Sequence, residues 1–241
     1  MGSWSLHCGA HLREQATAEQ GISTAWRSRP SLGQVVAART RRPEDGERRM
    51  IQKDKAAARR RARAGRQAIP EADRAAAAAR AAVHFMAAIP LPPGSKLSAY
   101  WPMGDELDSR PLIHALLDAG HRIALPVVQG ADRPLCFREW RPGDAMAVSS
   151  FGVSEPLQSA AEVQPDIVIA PFLACNGEGY RLGYGGGYYD RTLQALRQGV
   201  PGLLAVGLGF AAQEMPALPH DAHDEPLDWL VNETGARPFP R

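Results

Sequence analysis

The segment "DIVIAPFL", residues 166–173, limits the fold more than any other. It is a short, unbroken apolar run, the pattern of a strand covered on both faces. "GLLAVGLGF" at 202–210 has the same character. Between them "YYDRTLQALRQ" reads as a helix with Leu193 and Leu196 on one side. Strand, helix and strand in short succession make a βαβ unit and a parallel sheet. Upstream, "KLSAYW" (96–101) and "HRIALPVV" (121–128) read as two more strands. The helix between them, "SRPLIHALLDAG", has Ser109 as its cap, Pro111 in its first turn and Gly120 at its exit. "PLCFREW" alternates like a more exposed strand. The fold class expected is α/β: an open, mostly parallel sheet with helices on both faces, in a single domain. Ligands of such sheets sit beyond the carboxyl ends of the strands. The loops after Trp101 and after Pro171 leave such ends.

Ahead of this pattern lie two strong helix formers, "KDKAAARRRARAGRQ" (53–67) and "EADRAAAAARAAVHFMAAI" (71–89). Pro70, Glu71 and Asp73 suit the start of the second, and "PLPPG" stops it. Residues 1–49 have no sustained apolar period and are rich in breakers and charge, so disorder is expected there. They hold no signal-peptide core, and five acidic residues argue against a mitochondrial presequence. An initiation site at Met50 would account for them, and the folded domain is expected over 50–241.

Charge is divided along the chain. Residues 1–66 hold 15 Lys/Arg against 6 Asp/Glu, a balance of +9, and the remainder stands at −7. A basic arm fits nucleic acid or another polyanion, and equally an arginine-rich segment in water. No apolar run is long enough to span a bilayer. Three widely spaced cysteines make neither a metal pair nor a disulfide framework, which fits the cytoplasm.

Four constellations carry chemistry. In "RLGYGGGYYDR" (181–191), glycines let consecutive N–H groups face an anion, and the following helix adds its positive end. The run is neither a Walker A motif nor GxGxxG, so a tight loop with no ligand remains the other reading. Arg181 supplies charge there, and Asp190 offers a carboxylate to magnesium. In "KAAARRRARAGR", Lys55, Arg59, Arg63 and Arg66 share a helical face that can clamp polyphosphate, bind nucleic acid or simply meet water. In "WPMGDELD", Trp101 offers a flat apolar surface and Glu106 an acceptor for heterocycle N–H groups; an ordinary acidic loop is the alternative. In "LPHDAHDEPLDWLVNE", His220 and His223 have a metal-like spacing without further zinc ligands, and magnesium on Asp224 is chemically easier.

Together and in this order, "KAAAR", "YWPMGDELD", "FGVSEP", "RLGYGGGYYDR" and "LPHDAHDEPLD" resemble the 5-formyltetrahydrofolate cyclo-ligase (5,10-methenyltetrahydrofolate synthetase) family, from about Lys55 to Glu233. The resemblance implies magnesium- and ATP-dependent closure of 5-formyltetrahydrofolate to 5,10-methenyltetrahydrofolate with release of ADP and phosphate. It implies phosphorylation of the formyl oxygen and attack by N10, with no protein nucleophile. By motif, Lys55 and Arg59 touch ATP phosphates. Arg181, Leu182, Gly183, Tyr184, Gly185, Gly186, Gly187, Tyr188 and Tyr189 form the nucleotide loop. Gly183 to Gly187 also lie against the formyl end of the folate. Trp101 and Glu106 line the pterin site, and Asp190 and Asp224 hold magnesium. A cytoplasmic monomer is expected, with no membrane partner and no nucleic acid. The alternatives are a nucleic-acid-binding relative that uses the basic arm, or a folate-binding member that does not turn over. Three positions depart from the family pattern. Cys175 and Asn176 stand where Phe-Asp is usual, which predicts looser seating of the loop or a weaker arginine partner. Gly186 stands where some members carry lysine.

Overall fold

The computed structural model describes residues 43–149 and 151–240, with side chains from Gly46 onward. The disorder and initiation-site expectations for residues 1–42 lie outside that range. Residues 43–49 differ from expectation, because helix α1 runs Pro43–Gln67 and takes them in. Helix α2 (Glu71–Ala88) follows, with Glu71 and Asp73 in its first turn.

The sheet and its accessories come next. Strand β1 is Lys96–Ser98, α3 is Arg110–Asp118, β2 is Arg122–Val127 and β3 is Cys136–Glu139. A small hairpin pairs β4 (Met146–Val148) with β5 (Ser154–Pro156). Then come β6 (Ile167–Ala170), β7 (Ala174–Cys175), β8 (Arg181–Leu182), α4 (Tyr188–Gly199), β9 (Leu204–Leu208), β10 (Trp229–Asn232) and β11 (Gly235–Pro238). The main sheet has seven strands in the order β11-β10-β9-β6-β1-β2-β3. Neighbours are parallel throughout, except where β11 and β3 close the two edges antiparallel.

The continuous apolar runs are buried on both faces, as expected. In β6, Ile167 and Ile169 join one core cluster while Val168 and Ala170 join the other. Helices α2 and α3 cover the first face through Ala78, Ala81, Phe85, Leu112 and Leu116. Helix α4 covers the second through Leu193, beside Phe172 and Ala205. The alanines of α2 leave no bulk between helix and sheet, so Phe85 reaches full burial. Helix α1 does not lie on the sheet. Its Ala58 and Ala62 pack on Leu173, Ala174, Leu182 and Leu218, which places it across one end of the molecule.

Two local expectations are corrected. Ser109 makes no side-chain cap; its hydroxyl donates instead to the carbonyl of Tyr100, 2.5 Å away, tying α3 to the loop after β1. The glycine loop does not follow β6 directly. The β7–β8 hairpin intervenes, and the loop leaves β8 to enter α4. The C-terminal "WLVN" and "GARP" form β10 and β11. Around β1 the chain first moves to β2 on one side and later to β6 on the other, so β1 and β6 flank the switch point of the sheet. A crevice opens outside their carboxyl ends.

Candidate active site

That crevice is a cleft of about 530 Å³, lined by Trp101, Met103 and Glu106 after β1 and by Pro171 after β6. Residues 181–191 form its floor, and Lys55 and Arg59 of α1 and the 221–224 turn close it. Every residue expected to bind nucleotide, folate or metal borders this one space.

The basic face of α1 is the helix's inner wall. Lys55 is buried, and its Nζ donates to Asp224 at 2.6 Å and to Asp221 at 2.9 Å. Burial pulls its ammonium down, but the hydrogen bonds and charges of Asp224 and Asp221 outweigh it, and its pKa rises above the ordinary lysine value. Burial likewise pushes Asp221 up, and Lys55 reverses this, so its pKa lies below the usual carboxylate range. One turn along, Arg59 Nε donates to the carbonyl of Gly183 at 3.0 Å. Among the described residues Arg59 forms no ion pair. Burial, with the like charge of Arg63, lowers its pKa despite the field of Asp224. A half-buried guanidinium with no matching carboxylate favours an anionic ligand.

The glycine loop fits against this helix without side chains. Gly185 has φ +107°, and a Cβ there would come 3.3 Å from Arg59 Cζ. At Gly186 a Cβ would fall 2.7 Å from the Tyr188 ring, so a lysine at that position requires the ring to move. Arg191 donates to the carbonyl of Gly186 and closes the loop from the α4 side.

Arg181 and Asp190 both border the cleft and pair with each other. Arg181 is buried, donates to Asp190 Oδ1 at 2.9 Å and to the Glu225 carbonyl at 2.8 Å, and has its guanidinium 5.8 Å from the Tyr189 ring centre. Asp190 also accepts the Glu225 N–H. The pair braces the base of α4 against residue 225, so the charge of Arg181 is matched inside the protein. Among the described residues no three metal-ligating side chains converge. Asp224 beside Asp221 offers the one or two carboxylates that magnesium takes when phosphate and water supply the rest. The histidine spacing has another cause: His220 stacks on Tyr180 with ring centres 3.7 Å apart, and His223 hydrogen-bonds Arg48.

On the opposite wall Glu106 is buried and accepts the Met103 N–H and the Tyr184 hydroxyl, each at 2.8 Å. Burial pushes its pKa up, against the pull of those two donors and of Arg66. Tyr184 is pushed up to about 12 by burial and by the charge of Glu106. Trp101 is partly covered, its ring 5.2 Å from that of Trp140, and borders the cleft beside Glu106.

Sequence reasoning missed several cleft contacts. Arg66 pairs with Asp105 and donates to the Tyr184 hydroxyl. Phe151, from the "FGVSEP" run, meets Tyr188 edge-on at 6.0 Å. Only their place within motifs already singled out could have flagged them. The expected weakness at Cys175 and Asn176 is not seen. Asn176 Oδ1 accepts the N–H groups of Glu178 and Tyr180 and shapes the β7–β8 turn, as an aspartate would. Cys175 is fully buried beside Phe172 and Leu227, and the partner of Arg181 is Asp190.

Comparison with known proteins bears on the cleft as a whole. The sequence profile described as the 5-formyltetrahydrofolate cyclo-ligase family matches residues 51–233. A 5-formyltetrahydrofolate cyclo-ligase of Mycolicibacterium smegmatis is 36% identical over 136 residues, covering 53% of this chain and 70% of the relative. That of Escherichia coli K12 is 32% identical over 156 residues, 63% of this chain and 85% of the relative. The NMR structure of the 5,10-methenyltetrahydrofolate synthetase of Aquifex aeolicus superposes with a TM-score of 0.65 at 30% identity, covering 78% of this chain and 93% of that one.

Proposed function

The chain belongs to the 5-formyltetrahydrofolate cyclo-ligase family, and we propose that its cleft closes 5-formyltetrahydrofolate to 5,10-methenyltetrahydrofolate as ATP is cleaved to ADP and phosphate. A formyl oxygen on N5 leaves poorly. Transfer of the γ-phosphoryl group to that oxygen releases ADP and makes a good leaving group. N10 then bonds to the formyl carbon and loses its proton, and the C–O bond breaks with departure of phosphate. Such chemistry needs positioning and charge neutralisation more than a protein nucleophile.

The observation that carries this reading is that one loop serves both walls. Gly183 is held by Arg59, and the next residue, Tyr184, is hydrogen-bonded to Glu106. Phosphates laid along Gly183–Gly187 therefore meet Arg59 on one side and a pterin against Glu106 on the other. Among the described residues that line the cleft, Arg59 is the guanidinium without an ion pair and is left to meet phosphate, whereas Lys55 acts through the carboxylates it holds. Ionised Glu106 accepts ring N–H groups, and Trp101 offers the pterin an apolar surface. Asp224, with Asp221 adjacent, would hold magnesium, which supplies phosphate charge neutralisation when bound; Asp190 would serve it from the opposite side only by sharing Arg181. Among the described residues no helix is long and apolar enough to cross a membrane. The activity belongs to a cytoplasmic monomer in this reading.

The test is ADP release by the full-length chain with magnesium and ATP. It is expected only when 5-formyltetrahydrofolate is present, with methenyl absorbance growing in step. ADP release indifferent to folate, or no methenyl product, refutes the assignment.

A further inference from the structure

Arg66 lies in the last turn of α1, only 3% exposed, although nothing in the proposed chemistry requires it. Its Nη2 donates both to Asp105 Oδ1 and, at 2.9 Å, to the Tyr184 hydroxyl oxygen. A phenol has one hydrogen to give. With Arg66 filling an acceptor site, that hydrogen is directed to Glu106 Oε1 at 2.8 Å, while Met103 N–H takes Oε2. The result is a chain of donors, Arg66 to Tyr184 to Glu106, that fixes Oε1 of the carboxylate while the Met103 N–H fixes Oε2.

The geometry also ties this chain to the loop. Arg59 and Arg66 are seven residues, two helical turns, apart on one face. The first grips Gly183 and the second grips Tyr184, so α1 holds two consecutive residues of the glycine loop. Glu106 gains ionisation from the Arg66 charge against a burial penalty that opposes it.

We propose that Arg66 is a positioning residue for the folate wall, acting through the Tyr184 hydroxyl to hold Glu106 in the one arrangement that accepts the pterin; this rests on the cyclo-ligase reading above. Without Arg66 the phenol turns freely and Glu106 Oε1 loses its fixed donor.

Full-length wild type, Arg66→Gln, Tyr184→Phe and the double variant are compared by initial rates from about pH 5 to pH 9. Each substrate is varied with the other saturating, and Tm is recorded for every variant. Each single change is expected to raise the folate KM about tenfold, the scale of one hydrogen bond to a charged group. Because Tyr184 also lies in the loop proposed to carry the phosphates, the ATP KM should rise too, but less than the folate KM. The double variant should be no worse than the poorer single one, since both cut the same chain. Loss of the Arg66 charge raises the Glu106 pKa, so the acid limb of kcat/KM for folate should move to higher pH. A lower Tm with folate KM and acid limb unmoved makes Arg66 merely structural and overturns the proposal, as do additive effects in the double variant. Tyr184→Phe with wild-type folate kinetics overturns it even if Arg66→Gln fails to fold. Wild type without folate-dependent turnover overturns the cyclo-ligase reading itself.

Discussion

Gly185 shows how much one missing side chain does here. Its backbone occupies a region that L-residues rarely adopt, and a Cβ there would crowd the guanidinium of Arg59 at 3.3 Å. Gly185→Ala should cost on the order of 1–3 kcal/mol, lower Tm by roughly 2–10 °C and raise the ATP KM. Gly177→Ala, where φ is ordinary and nothing stands within 4 Å, should change neither. Calorimetry and ATP titration of the two variants decide the point. At this scale the sequence exposed residue types and concealed their partners. Lys55, Arg59, Glu106 and Asp224 stood out because their spacing and motifs did. That Lys55 spends its charge on two carboxylates, and that Arg59 is matched by none, follows from contacts across more than 120 residues, which no local pattern encodes. Asn176 is the converse case: an unusual residue by motif that makes ordinary turn hydrogen bonds.

Helix α1 is the element on which the cleft depends, because little apolar surface docks it. Beyond Ala58 and Ala62, it is held by Lys55 on the 221–224 turn and by Arg66 on Asp105. Lys55→Gln should destabilise the protein by about 2 kcal/mol, a buried cation with partly exposed partners. The raised Lys55 pKa gives stability that is full below the unfolded value and lost as pH rises through the folded one. The lowered Asp221 pKa gives stability present above its unfolded value and lost as pH falls through its folded one. The Tm gap between wild type and variant should therefore be flat from about pH 5 to pH 9 and narrow on either side; a gap that vanishes at neutral pH would disprove the clasp. Among elements, β6 and β9 were legible because an apolar run of strand length admits few other fates. The β7–β8 hairpin was not, since two-residue strands carry no period. Strand β10, within "DWLVN", was obscured by the histidines and aspartates before it.

For the whole molecule, the alternating pattern was enough to give a mostly parallel sheet covered on both sides, and hence the end at which a ligand binds. The strand order was not readable, because register and neighbour choice between similar apolar strands depend on tertiary packing. The placement of α1 over the sheet's end was hidden for the same reason. A chain that begins at Pro43 is expected to keep wild-type Tm and folate turnover, since α1 and every cleft residue are retained. One that begins at Arg60 should lose at least a hundredfold in turnover through the absence of Lys55 and Arg59, with measured rates of the two truncations as the check.

The first helix among the described residues also completes the site, and 169 residues separate Lys55 from Asp224. At ordinary translation speeds roughly ten to thirty-five seconds pass between them. Throughout that interval the cationic helix lacks the 221–224 turn on which Lys55 settles. On the proposed function, the cleft is therefore complete only once the 221–224 turn has been made.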